Sequence, residues 1–372
     1  MAVIKIFPIE DTFISTEKSL SNHGKDEMLE VGGYKTSGGG ETLRTFIKFN
    51  RTEVEQAIAA ISASSNSENY TVRLKGSLAT ANELPYSFNL NLHPLSQSWD
   101  PGTGKFGDQP SNLTGCSWLY RKAGSQDQWM TASYATGVTA SFEDDLKGGG
   151  VWYTSSASQS FNQNSDLDLD MVVTDLFGSD YRSGSLGDYG FVLKLEDQYE
   201  FNASSSVRLK YFSADTNTIY PPHIEIQSTA AGIFTGSLPS ITDSEFILSV
   251  RNNKGEYTTN NDINFTGDKQ RFRLHCRPKY PTRTFTTSSA YINNHVLPTG
   301  SFWGLKDENT EEMCIDFSTG TYINHDATSM YFDMFMDGLQ PERYYRLLVK
   351  TEVDGSTIIA DTNEVFKIVR NG

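Results

Sequence analysis

Asp166, Asp168 and Asp170 alternate with Leu167 and Leu169, so in an extended strand their three carboxylates project from one face. Oxygen ligands of this kind suit a hard cation, which makes the face a candidate calcium site. The glycine-centred twelve-residue loop of an EF-hand is missing. A solvated edge opposite a buried leucine row accounts for the same pattern. A glycosidase needs two carboxylates about 5–10 Å apart across a cleft, and 46 acidic residues supply such pairs by chance without marking one. The six histidines (His23, His93, His223, His275, His295 and His325) are dispersed and form no HExxH or HxH pair, so no zinc site is expected. No GxSxG occurs, and the GGG runs at 38–40 and 148–150 lack the lysine and helix of a phosphate-binding loop. No residue is assigned a catalytic or cofactor-binding role, no cofactor is expected, and the chain reads as a non-enzyme.

Aromatic residues offer the other chemistry. Trp99, Trp118, Trp129, Trp152 and Tyr153 concentrate in the middle of the N-terminal half. Rings on a surface bind sugars by stacking, whereas Trp118 and Trp152, each inside a strand-like run, suit a packed core. Trp129 is the ring expected to stay exposed, and so it is the candidate carbohydrate contact.

The elements that must position these groups are short strands. LRTFIKFN, YTVRLKGSLA and YSFNLNLHPL alternate with period two. LDLDMVVTDLF, YGFVLKL, VRLKYFS and PPHIEIQ follow, with Val172, Val173, Phe191 and Leu193 as candidate core residues. One stretch, RTEVEQAIAAIS, has helical spacing at Val54, Ala57, Ile58 and Ile61, with Thr52 as the expected N-cap. Short strands at this density, with turn residues between them, indicate an antiparallel sandwich. A chain of 372 residues exceeds what one core fills, so two domains are expected. STAAGIFTGSLPS is small and nearly uncharged and marks the boundary. The expected division is a domain over 1–227, a linker over 228–240 and a second domain over 241–372. Seven strand candidates beyond the linker match an immunoglobulin-like sandwich, although the Cys–Trp–Cys core of antibody domains is absent.

The net charge of −15 argues against a nucleic-acid partner, since such binding relies on Lys and Arg displacing counterions, and no Lys/Arg run appears. Cys116, Cys276 and Cys314 are far apart and odd in number, which suggests reduced thiols. The opening MAVIKIFPIEDTF turns polar too soon for a signal peptide. No run approaches the roughly 20 apolar residues that span a bilayer, so no membrane partner is expected.

The pieces EDTFIS, NHG, LEVGG, LRTFIKFN, SQSWD, LDMVVTDLF, DYGFVLKL and PPHIEI occur in one order. In that order the N-terminal 227 residues resemble the DNRLRE family. The resemblance implies a jelly-roll β-sandwich acting as an adhesive, spacer or sugar-binding module. LQPERYYRLLVK is similar to the approach to strand F in fibronectin type III domains, where a tyrosine hydroxyl pins the corner. Tyr344 or Tyr345 would take that role. Taken whole, the chain resembles virion structural proteins of tailed bacteriophages.

The expectation is therefore all-β, a jelly-roll-like sandwich followed by an immunoglobulin-like one. The resemblance implies a non-catalytic virion part at the head–tail neck or tail, serving as a connector, ring or fibre-docking subunit. It would be made in the host cytoplasm. Its partners would be copies of itself, through an exposed strand edge or loop, and portal, connector, tail or fibre proteins. The alternative is a carbohydrate-binding or adhesion module.

Overall fold

The computed structural model describes residues 3–36, 39–65, 69–82, 84–129, 138–140, 148–162, 164–200, 207–259, 268–281 and 294–370. Of the loop tract FEDDLKGGG, only Gly148, Gly149 and Gly150 fall among them. Strand makes up 47% of the chain and helix 10%, so the protein is all-β. Two compact units form. The first holds Ile6–Val54 and Val72–Glu225, and the second holds Met1–Lys5, Glu55–Thr71 and Ile226–Gly372.

Up to Ser228 the strands are β1 (Val3–Ile6), β2 (Glu10–Ser15), β3 (Met28–Thr36), β4 (Gly39–Lys48), β5 (Tyr70–Gly76), β6 (Leu78–Asn82), β7 (Ser87–Pro94) and β8 (Tyr120–Lys122). They continue with β9 (Asp127–Gln128), β10 (Val138–Ala140), β11 (Val151–Tyr153), β12 (Ala157–Asn162), β13 (Leu169–Val172), β14 (Phe191–Leu195), β15 (Val207–Phe212) and β16 (His223–Ser228). A large curled sheet runs β12-β7-β14-β4-β3-β15-β6, with β2 added on β4. A four-stranded sheet runs β1-β16-β5-β13. The result is a jelly-roll-like sandwich. Alternation on β4 directs Arg44 and Phe46 to one side and Leu43, Thr45 and Ile47 to the other.

At one pair of edges, β12 and β13, a side chain bridges the two sheets. Gln159 of β12 donates its amide Nε2 to the Asp168 carbonyl at 3.1 Å and accepts the Asp170 backbone N–H at 2.8 Å. A glutamine thus supplies to the β13 edge the donor and acceptor that a neighbouring strand would supply.

Two local expectations are corrected. Val172 is 50% exposed, while Val173, Phe191 and Leu193 are buried. Leu169 and Met171 take the inward positions of β13, which turns Val172 outward. The helix α1 (Arg51–Ser65) buries Val54, Ala57, Ile58 and Ile61, but its N-cap is Asn50. The Asn50 Oδ1 accepts from the backbone N–H of Thr52 at 3.1 Å and of Glu53 at 3.4 Å.

Beyond Ser228 lie β17 (Phe246–Val250), β18 (Glu256–Thr259), β19 (Lys269–Pro278), β20 (Phe302–Asp307), β21 (Met313–Ile315), β22 (Asn324–His325), β23 (Met330–Phe335), β24 (Tyr344–Val353) and β25 (Ser356–Arg370). One sheet runs β17-β19-β23-β22 and the other β18-β25-β24-β20-β21. The first corresponds to strands A-B-E-D of an immunoglobulin fold. The second corresponds to C′-C-F-G, with β18 adding a short parallel pair on β25. Trp303 on β20 is fully buried and stacks on Phe332 at 4.8 Å. That is the tryptophan position of antibody domains. Leu347, two residues after Tyr345, whose hydroxyl bonds back to Gln340, fills the place of their second cysteine. Apolar packing here does the work of the missing disulfide, and Cys116, Cys276 and Cys314 are all free thiols.

Candidate functional site

The aspartate row does not assemble as alternation suggests. Strand β13 begins only at Leu169, so Asp170 alone lies on it. The Asp170 carboxylate meets Arg73 Nε at 2.6 Å and Lys75 Nζ at 2.9 Å. Partial burial raises its pKa, but these two cations outweigh that and hold it below the ordinary aspartate value. Asp168 Oδ1 accepts the Leu78 backbone N–H at 2.7 Å, and Asp166 Oδ1 accepts the backbone N–H of Asp168 at 3.2 Å. Each carboxylate is turned to a different local donor. Among the described residues no group of three His, Cys, Asp or Glu side chains is placed to hold a metal ion.

The tryptophans are interior. Trp129, expected to be exposed, is only 3% accessible. Its indole Nε1 donates to the Ser117 carbonyl at 3.0 Å and its ring lies edge-on to Phe46. That hydrogen bond removes the desolvation cost of its one polar atom. Trp99 does the same through the Tyr189 carbonyl at 2.6 Å, and Trp118 and Trp152 lie in the same apolar cluster.

Beside them sits a buried charge cluster. Arg44 of β4 donates Nε and Nη2 to the two oxygens of Glu200, at 2.6 and 3.0 Å, and Nη1 to the Gly149 carbonyl at 2.7 Å. Glu200 closes the short helix α3 (Asp197–Glu200), which follows the one-turn helix α2 (Ser179–Arg182) in the chain. Lys194 of β14 reaches Glu200 at 3.0 Å, Asp197 at 2.6 Å and the Leu195 carbonyl at 2.9 Å. The guanidinium lies over Trp118 and Trp152, 4.8 and 5.0 Å from the ring centres. Two cations balance two carboxylates, and the lysine's three hydrogens are all accepted. Gly149 has φ +81°, and a Cβ there would fall 2.4 Å from Arg44 Nη1. The cluster ties β4, β14 and α3 together, and its donors are spent within the fold.

The NHG stretch is a loop anchor. The Asn22 amide donates to the carbonyls of Pro101 and Cys116 at 2.6 and 2.9 Å, and its oxygen accepts from Gly24 and Gly104. His23 stacks on Phe13 and holds the Phe13 carbonyl through Nδ1, and burial pushes its pKa down. Burial pushes Asp11 up to about 7, and it raises Glu41 as well. Perturbed acids of this kind mark catalytic sites when a substrate can reach them. Here Asp11 is 4% and Glu41 2% exposed, held by the Ala214 backbone N–H and the Ser15 hydroxyl respectively.

Sequence reading for contiguous charge missed one feature. Lys269, Arg271, Arg273, His275, Arg277 and Lys279 occupy every second position from β19 onward, while Phe272, Leu274 and Cys276 point inward. Arg251 lies opposite Arg273. Strand periodicity, rather than a run of neighbours, was the signal that could have found this stripe.

No family model matches the chain, and no curated protein matches it.

Proposed function

We propose that the chain is a non-catalytic structural component of a tailed-phage virion. It would act as a connector, ring or fibre-docking subunit at the head–tail neck or the tail, with copies of itself and portal, connector, tail or fibre proteins as partners. The placement in a virion rests on the sequence resemblance to tailed-phage structural proteins and, over residues 1–227, to DNRLRE domains. The observation that carries the non-catalytic part is the enclosure of the perturbed carboxyl groups. The described acids pushed upward by burial, Asp11 and Glu41, are enclosed by the sandwich. All five tryptophans, Trp303 included, are buried. The sugar-binding alternative loses the ring on which it was based.

Mass spectrometry of purified virions tests the reading. Recovery of the chain at a fixed ratio to other virion proteins is expected. Its absence from particles, with the protein present in the lysate, would overturn the proposal.

A further inference from the structure

The outer face of the β17-β19-β23 sheet is basic in a strongly acidic chain. Six of the 31 basic residues gather there: Arg251, Lys269, Arg271, Arg273, Arg277 and Lys279. Three acidic partners answer them. Asp333 pairs with Arg271 at 2.7 Å and Lys269 at 3.5 Å, Asp326 pairs with Arg273 at 2.9 Å, and Glu245 pairs with Lys279 at 3.5 Å. Tyr331 underlies the Arg271 guanidinium at 4.3 Å and stiffens it. Ile247, on the same face opposite Arg277, is 40% exposed. Local excess positive charge beside an apolar contact therefore persists on a molecule whose net charge is −15.

A segment of opposite character lies elsewhere in the same sequence. Residues 166–188 carry Asp166, Asp168, Asp170, Asp175, Asp180 and Asp188 against Arg182 within the segment, and of these Asp170 is answered by Arg73 and Lys75 of β5. All but Asp170 are exposed, as is Val172 among them.

We propose that the basic face of one copy docks on the acidic 166–188 segment of a second copy. Charge complementarity selects this occupant, because every copy that brings the cations also brings the carboxylates. Screening over about 8 Å at physiological salt lets these local surfaces outweigh the repulsion between whole molecules. The contact joins unlike surfaces, so it propagates head to tail and closes into a ring where the rotation allows. This inference rests on the reading of the chain as a self-assembling part.

A charge swap tests it, read by sedimentation velocity on the full chain. One variant carries Arg251→Glu and Arg277→Glu. The other carries Asp175→Lys and Asp180→Lys. The wild-type chain is expected to form oligomers at about 0.05 M salt that dissociate by about 0.5 M. Each variant alone is expected to sediment as a monomer, and an equimolar mixture is expected to regain the oligomer. A wild-type chain that stays monomeric, or a mixture that is not rescued, overturns the proposal. So does a monomeric wild-type chain that binds single-stranded DNA or heparin through Arg251 and Arg277, which would reassign the face to a polyanion. A chain found in virions but monomeric in solution refutes this contact alone, leaving the virion reading intact.

Discussion

The hydroxyl of Tyr345 donates to the carbonyl of Gln340 at 3.1 Å, bridging the corner that leads into β24. Tyr345 is 2% exposed, while Tyr344 beside it is 46% exposed and lies under the Lys367 ammonium. Tyr345→Phe leaves the Gln340 carbonyl without its donor and should cost about 1–2 kcal/mol. Tyr344→Phe should change stability by less than about 0.5 kcal/mol. Urea midpoints of the second unit's transition, followed by Trp303 fluorescence, compare the two.

Trp129→Ala should destabilise the first unit by about 3–5 kcal/mol, since it empties a packed site around Phe46 and removes the donor to the Ser117 carbonyl. The same variant should leave any glycan-array signal of the protein unchanged. Loss of a glycan signal with little change in melting temperature would return Trp129 to the surface role.

Glu200→Gln removes the carboxylate that Arg44 and Lys194 share and should cost about 3–5 kcal/mol, because buried cations are left without a counter-charge. Asp197→Asn breaks only the outer, largely exposed contact to Lys194 and should cost less than about 1 kcal/mol. Chemical denaturation of both variants measures the contrast. Similar losses would contradict the assignment of Glu200 as the central partner.

Asp11 gives stability a pH dependence of definite sign. Burial raises its folded pKa to about 7, against about 3.9 in an unfolded chain. Between those values the folded state holds a proton that the unfolded state has released, so this group's contribution to stability falls as pH rises from about 4 to about 7. Asp11→Asn keeps an acceptor for the Ala214 N–H and removes the titration. The melting temperature of the variant, relative to wild type, should therefore climb across that window. A pH-independent difference would refute the assignment.

Period-two alternation made the sandwich legible, and Leu-x-Pro ahead of a tyrosine pair made the corner legible. The choice between Tyr344 and Tyr345 follows from phase, since Tyr345 shares the inward side with Leu347 and Val349. Phase also explains two misses. Val172 sits one position out of step with Met171, and the Asp166–Asp168–Asp170 alternation begins before the strand does. The burial of Trp129 is not legible in sequence, because both the packing against Phe46 and the Ser117 carbonyl that accepts its N–H are supplied by the fold. The basic stripe escaped notice because its members are adjacent in space but separated in sequence by inward-facing residues.

Gln159 carries a consequence for how copies of this chain can meet. A bare strand edge recruits any passing extended segment and so risks open-ended fibre growth. At the β13 edge the Asp168 carbonyl and Asp170 N–H are already engaged by the Gln159 amide. An incoming strand would have to evict it and leave that amide unsatisfied. Runaway polymerisation is discouraged at this seam by a side chain contributed from within the same molecule, so any ordered assembly there must be written in side-chain surfaces.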